Sequence, residues 1–331
     1  MLHNSNDSQS ITDPKDLKRA LGSLVLIVGP TAVGKTELAI QLAERMHGEI
    51  VSADSRLFYR GMDIGTAKPT SEELARVPHH LIDIADPDEI LSLAVFQQKA
   101  SEIIAAIHAR NHVPFLVGGT GQYIRAVTQG WTPPEVEPDE KLRLELEREK
   151  AEHGIYWLHD KLQDLDPEAA AKIDARNYRR TIRALEVIRS TGRKFSEQRG
   201  QGESAYHLIT VGLMRPRAEL YERVDKRIDV MFENGFVEEV KTLLAKDYSP
   251  SLPTMSAIGY RECIRVIQGD LSEENAKAEI RRATRVFVRR QANWFKESDP
   301  NIKWFNVEEG ILGKIETHIK SSLRTPPGTA T

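Results

Sequence analysis

The spacing of apolar residues changes several times along the chain, and each change marks an element. Leu24–Val28 (LVLIV) is an unbroken apolar run, the pattern of a strand covered on both faces. It enters Gly29–Thr36. Beyond that, Leu38 and Leu42, and Ala39 and Ala43, recur four apart, so Glu37–Met46 reads as a helix. Glu49–Asp54 reads as a second strand. Ser92 reads as the N-cap of a helix reaching about Arg110, and Val113–Val117 as a further short strand ending in Gly118-Gly119. Strands alternating with helices predict an α/β fold: a parallel sheet with helices on both faces. The strand ends then carry their loops to one edge, where ligands bind.

The rhythm breaks near Gly130, in the Pro-rich stretch WTPPEVEP. Residues 139–200 carry helical patterns only: Asp139–Glu152, Pro167–Ile173 and Tyr178–Ser190. Strand character returns at His207–Met214, and helices follow at about 217–234, 236–246, 256–268 and 273–296. A helical block between two pieces of an α/β core predicts an insertion. The expected division is a core of residues 22–129 and 202–321, an all-helical insertion of 130–201, and loose tails at 1–21 and 322–331.

Composition adds limits. The 331 residues are 40% apolar and 29% charged, ordinary for a globular chain. No run nears the roughly 18 apolar residues of a membrane span, and the polar N-terminus lacks a secretory core, so the expectation is a cytoplasmic protein with no membrane partner. The single cysteine, Cys263, excludes an intrachain disulfide and a thiolate-only zinc site; it sits in an apolar helical pattern as a buried, inert thiol.

The net charge of −3 argues against a uniformly basic nucleic-acid binder, yet the charge is uneven. Residues 172–200 carry nine Lys or Arg against three Asp or Glu, and residues 281–296 carry six basic residues and no acidic one. Such patches suit a polyanionic partner, or are simply solvated helix faces.

The strongest motif is Gly29-Pro30-Thr31-Ala32-Val33-Gly34-Lys35-Thr36, a full G-x-x-x-x-G-K-[ST] between a buried strand and a helix. Its glycines let backbone amides wrap an anion, and the helix N-terminus adds partial positive charge. Lys35 is a point charge for phosphate oxygens, and the Thr36 hydroxyl suits Mg²⁺. The motif specifies a di- or triphosphate without saying which. The second strand ends in Asp54-Ser55-Arg56. From pattern alone the Asp54 carboxylate is a metal partner first, and otherwise a general base or a helix cap. Gly61–Pro69 reads as a loop. Arg223 and Arg227, four apart in a helical stretch, share one face.

Taken in order, GPTAVGKT, DSRLFYRGMDIGTAKP, PHHLIDIADP, FLVGGTGQYIRAV, RALEV with a following TGR, SAIGYRE and TRVFVRRQANWF closely resemble the bacterial tRNA dimethylallyltransferases. The match runs from about residue 24 to about 306. The phosphate loop is shared with many enzymes; DSRLFYRGMDIGTAKP is far more specific.

The resemblance implies a fold like that of the P-loop kinases, with a helical tRNA-binding insertion. It implies transfer of a five-carbon prenyl group from dimethylallyl diphosphate to N6 of the adenosine 3′ of the tRNA anticodon, releasing diphosphate. It places Gly29 to Thr36 and Arg223 at the diphosphate, with Lys35 and Arg227 as catalytic cations. It makes Asp54 the base for N6, which displaces the metal reading that pattern alone favours.

It also implies tRNA contacts at Asp54, Ser55, Arg56, Leu57, Thr120 and Arg143. Arg281, Arg285 and Arg289 form one helical stripe, and Arg179, Arg180 and Arg183 a second patch; with the resemblance, Arg285 and Arg289 become expected tRNA contacts. Trp294 and Phe295 are expected in the core. Glu262 stands where the family usually has Gln, and Asn293 where Thr is commoner; both bear on RNA contacts. Mg²⁺ on Thr36 and a monomeric state complete the expectation.

Three rivals remain at this point. A prenyltransferase of free adenine nucleotides would not need the basic insertion. An ATP-dependent small-molecule kinase would consume ATP. A non-catalytic RNA-binding module would not need intact Lys35, Thr36 and Asp54.

Overall fold

The computed structural model describes residues 22–130, 134, 136–198 and 204–324. The readings for the N-terminal tail, for most of WTPPEVEP and for residues beyond 324 lie outside the described residues. Two compact units result: residues 22–128 with 204–324, and residues 129–198.

The first unit is built on six parallel strands: β1 (Ser23–Val28), β2 (Gly48–Ser52), β3 (His79–His80), β4 (Val113–Gly118), β5 (His207–Met214) and β6 (Ile302–Asn306). Their order across the sheet is β3-β2-β4-β1-β5-β6. β1 lies between β4 and β5, with Val28 beside Gly118 and Gly212, so the phosphate loop leaves from the middle of the sheet. Side chains of β1 alternate between two apolar layers, as a strand covered on both faces requires. Val25 and Ile27 meet Leu38 and Leu42 of α1 (Lys35–Met46), Leu220 and Val224 of α9 (Arg217–Glu233), and Ile315 and Ile319 of α13 (Ile311–Arg324). Leu24, Leu26 and Val28 meet Phe96, Ile104 and Ile107 of α3 (Leu93–Ala109) and Ile124 of α4 (Gly121–Thr128).

Local chemistry fixes the helix starts. The Ser92 hydroxyl accepts from the Val95 amide at 3.2 Å and opens α3, as its sequence predicts. Thr70 and Glu73 cap α2 (Ser71–Arg76) reciprocally. By contrast α1 starts on Gly34 (φ 105°), with no side chain bonded to its first amides. Those amides therefore stay available to an anion.

A third cluster joins α10 (Phe236–Ala245) and α11 (Tyr260–Ile267) to the segment after Asp54 through Met62, Phe236, Val240, Met255 and Tyr260. Cys263 is buried in it, and burial, aided by Glu262 and Glu239, pushes the thiol up to about 12. It is inert, as its sequence context predicts.

α11 starts at Tyr260 rather than 256 because Gly259 (φ 98°) turns the chain just before it. α12 (Glu273–Gln291) stops before the expected 296, and α13 continues past 321 to Arg324.

Among its described residues the second unit holds helices only: α5 (Glu140–His153), α6 (Ile155–Leu165), α7 (Pro167–Lys172) and α8 (Tyr178–Thr191), besides one short 3₁₀ turn. They enclose their own core, including Leu142, Leu158, Leu162, Ile182 and Leu185.

Candidate active site

Parallel strands bring their following loops to one sheet edge, and those after β1, β2 and β4 carry the predicted chemistry. After β1 the loop climbs through Ala32 (φ 63°) and Gly34 into α1. Lys35 folds back over it and donates to the carbonyls of Gly29 at 3.0 Å and Pro30 at 2.8 Å. Burial presses its ammonium down to about 8; Asp54 opposes the shift and Arg227 adds to it. The lysine is thus a cation held ready in poorly solvated surroundings.

Two arginines of α9 grip the same loop. Arg223 Nε donates to the Ala32 carbonyl at 2.7 Å, and Arg227 Nη1 reaches the Thr31 hydroxyl at 3.4 Å. Burial and then Arg223 lower the Arg227 pKa, so a second anion-seeking charge faces the loop. The expected one-face pairing of Arg223 and Arg227 is met by both bonding consecutive loop residues.

After β2, Asp54 turns the chain. Its carboxylate accepts from the Arg56 amide at 3.1 Å, and its own amide bonds the Ser52 hydroxyl at 3.2 Å. Lys35, Thr36, Asp54 and Leu57 line one small cavity of about 60 Å³. Ser55, Arg56 and Leu57 follow, each partly exposed. The segment beyond is held by Glu239 of α10. That carboxylate accepts from the amides of Asp63 (2.9 Å), Ile64 (2.6 Å) and Gly65 (3.2 Å) and from the Tyr260 hydroxyl (2.7 Å). Lys68 ties the same segment to Asp63, Asp83 and the Tyr59 carbonyl.

After β4, Gly118 packs against Ala53, where a Cβ would come within 2.8 Å of backbone. Thr120 opens α4, its carbonyl accepting from the Tyr123 amide at 3.0 Å. Trp294 packs on Gly121 under the Arg125 guanidinium and Phe295 packs against the apolar layer, but both are only half-buried, so they flank the core rather than sit within it as expected.

The predicted basic stripe is divided. Arg281 pairs with Asp229 at 2.5 Å and Arg285 with Asp225, both on α9; Arg289 is exposed. Arg289 lines a second cavity of about 480 Å³ that also touches the loop at Gly29 and Pro30. In the helical unit, Arg143 makes a two-pronged bond to buried Glu186 at 2.8 and 2.9 Å, and Arg183 shares that carboxylate. Arg179 is exposed.

Two groups at the loop escaped the sequence reading. Arg215 Nε donates to the Val33 carbonyl at 3.0 Å, and the Gln291 side chain accepts from the Thr31 amide at 2.8 Å. The only signal for Gln291 was an uncharged amide within RRQANWF.

Among the described residues no group of three or more His, Cys, Asp or Glu could hold a metal. Oxygen donors there include the exposed Thr36 hydroxyl and the Asp54 carboxylate, which line the same cavity. Few protein oxygens beside a phosphate site fit Mg²⁺, which takes hard oxygen ligands and shares phosphates, better than a soft-ligand metal.

Comparisons place these features among known proteins. The family model described as IPP transferase matches residues 57–298, so the phosphate loop and Asp54 lie before the matched stretch. A tRNA dimethylallyltransferase of Roseiflexus sp. (strain RS-1) is 52% identical over 84% of this chain and 91% of its own. One from Thermomicrobium roseum is 45% identical over 91% of this chain and 92% of its own. The crystal structure of a full-length tRNA isopentenylpyrophosphate transferase from Bacillus halodurans aligns with a TM-score of 0.68 at 43% identity, covering 91% of this chain and 96% of that one. A eukaryotic dimethylallyltransferase acting on tRNA aligns at 0.73 and 26% identity, covering 91% and 77%.

Proposed function

The chain belongs to the IPP transferase family, as a tRNA dimethylallyltransferase, and we propose that it moves a dimethylallyl group from dimethylallyl diphosphate to N6 of the adenosine 3′ of the anticodon, releasing diphosphate. The observation that carries the site assignment is the meeting of Lys35, Thr36 and Asp54 at one cavity, with Arg227 of α9 bonded to the adjoining loop at Thr31.

The allylic carbon–oxygen bond breaks with negative charge growing on the diphosphate. The amides of the loop, the N-terminus of α1, Lys35 and Arg227 stabilise that charge where it develops. Lys35 leaves the carbonyls of Gly29 and Pro30 to meet it, and Arg223 keeps the loop in shape. Mg²⁺, held by Thr36 together with diphosphate oxygens, would supply further charge neutralisation there.

The acceptor N6 is a weak nucleophile, because its lone pair is delocalised into the ring. Asp54 accepts its proton as nitrogen bonds to the allylic carbon, a contribution of roughly 10²- to 10⁴-fold. The base must leave its stack to reach the site. Ser55, Arg56, Leu57 and Thr120 receive it, and Arg289 neutralises tRNA phosphate. Arg143 and Arg285 are already ion-paired; they serve tRNA through the surfaces they fix, with Arg179 the more open cation of the helical unit. We read the protein as cytoplasmic and active as a monomer. Among the described residues no helix is long and apolar enough to cross a membrane.

The test is diphosphate release from dimethylallyl diphosphate with Mg²⁺, using unmodified tRNA, AMP or ATP as acceptor. The expected result is release with tRNA alone and no need for ATP. Release with AMP or ATP but not tRNA would move the activity to free nucleotides.

A further inference from the structure

The last residue of α12 has no part in the chemistry above, yet its side chain joins both halves of the site. Gln291 is 6% exposed. Its Oε1 accepts from the Thr31 amide at 2.8 Å, and its Nε2 donates to the Gly119 carbonyl at 3.3 Å. Thr31 belongs to the loop after β1, and Gly119 to the turn after the neighbouring strand β4. One side-chain amide therefore bridges the two strand-end loops.

The pair of contacts needs an amide. One end must accept and the other donate, which a carboxylate or an ammonium cannot do. It also needs glycine opposite: a Cβ on Gly119 would come 2.3 Å from Gln291 Nε2. The Thr31 hydroxyl receives Arg227, and Thr120 directly follows Gly119. Donor contacts thus lie on one side of Gln291 and acceptor contacts on the other.

We propose that Gln291 is a positioning residue that sets the separation between the diphosphate loop and the acceptor turn. The inference rests on the prenyl-transfer reading. The new carbon–nitrogen bond forms across that separation, and a misplacement of about 1 Å at a reacting pair costs roughly 100-fold in rate. The same helix carries Arg289, so tRNA phosphate and the donor loop bear on one element.

The experiment replaces Gln291 by Met, close in length and without the hydrogen bonds. Three quantities are read beside the unaltered protein: kcat for transfer to tRNA, Kd for inorganic diphosphate, and Tm. The expected result is a folded variant whose kcat falls about 10- to 100-fold while diphosphate Kd stays within about threefold. A support that merely stabilised the fold would lower Tm and leave kcat per folded molecule unchanged, and that result overturns the inference. So does a diphosphate Kd that rises in step with the loss of rate, which would confine Gln291 to the loop. Should Gln291→Met fail to fold, Gly119→Ala decides: its methyl displaces Nε2, and the same split of kcat from Kd is required. Absence of transfer by the unaltered protein overturns the functional reading, and this inference with it.

Discussion

At the scale of single residues, the site works by holding charges where water holds them poorly. Lys35 is the clearest case. With its pKa down at about 8, the free protein loses this charge as pH rises through that value. We predict that kcat/KM for dimethylallyl diphosphate declines above about pH 8, and that Lys35→Arg, if it retains activity, stays flat there. A wild-type profile that is level or rising through pH 8 contradicts the assignment.

The same shift has a stability consequence of opposite sign. Between about pH 8 and the ordinary lysine value of 10.5, the unfolded chain binds more protons than the folded one, so this residue makes stability rise with pH. At neutral pH its buried charge is a cost. Lys35→Met is therefore expected to stabilise the empty protein by about 1–2 kcal/mol while abolishing donor use, read by thermal unfolding and transfer rate. A large fall in Tm would sink this prediction.

Asp54 differs in kind, since its task begins only when the acceptor arrives. Asp54→Ala should slow transfer by roughly 10²- to 10⁴-fold and leave dimethylallyl diphosphate Kd nearly unchanged. Unchanged turnover would remove it as the base. The sequence alone ranked a metal role first for this carboxylate. Residue type and strand-end position are common to both roles, and only the family resemblance separated them.

At the scale of elements, apolar pattern was legible wherever an element buries a face. His207–Met214 was readable to the residue, because β5 runs beside the central strand. Asp139 appeared in sequence as the first residue of a helix; it is the N-cap of α5, accepting from the Leu142 amide at 2.9 Å. β3 escaped because two histidines carry no period, and β6 because it is an edge strand of partly exposed residues, Ile302–Asn306. α4 begins on Gly121, a helix-poor residue placed there by the approach of Trp294, whose ring atoms would lie 2.4 Å from a Cβ. Such tertiary reasons are invisible in a local window.

The Gly61–Pro69 loop was legible as a loop but not as a clamped one. Beside the Lys68 ties, one carboxylate, Glu239, reaches over from α10 to clamp it. Glu239→Ala leaves three amides and the Tyr260 hydroxyl without that acceptor. We expect a loss of about 2–3 kcal/mol in urea unfolding and a raised KM for tRNA, since the segment continues the chain that leaves the Asp54–Leu57 turn. Unaltered stability together with unaltered KM would show the clamp to be dispensable.

For the whole molecule, charge placement matters more than the net value of −3. The sequence displayed the arginine stripe of α12 but not its partners, because Asp225 and Asp229 stand on another helix. Reversing an exposed charge and a paired one should therefore differ. Arg289→Glu is expected to raise tRNA Kd several-fold and lower the salt slope of binding by about one, with Tm unchanged. Arg285→Glu faces Asp225 and should lower Tm as well. Equal behaviour of the two variants in both binding and unfolding would contradict this division.

The central claim, that the phosphate loop serves as seat of a leaving group for prenylation of tRNA, is tested most directly by locating the product. Unmodified tRNA bearing adenosine 3′ of its anticodon is incubated with the protein, Mg²⁺ and dimethylallyl diphosphate, without ATP, then digested and read by mass spectrometry. The account predicts one added five-carbon group, on N6 of that adenosine. A tRNA left unmodified, or a group found on another nucleotide, would contradict it.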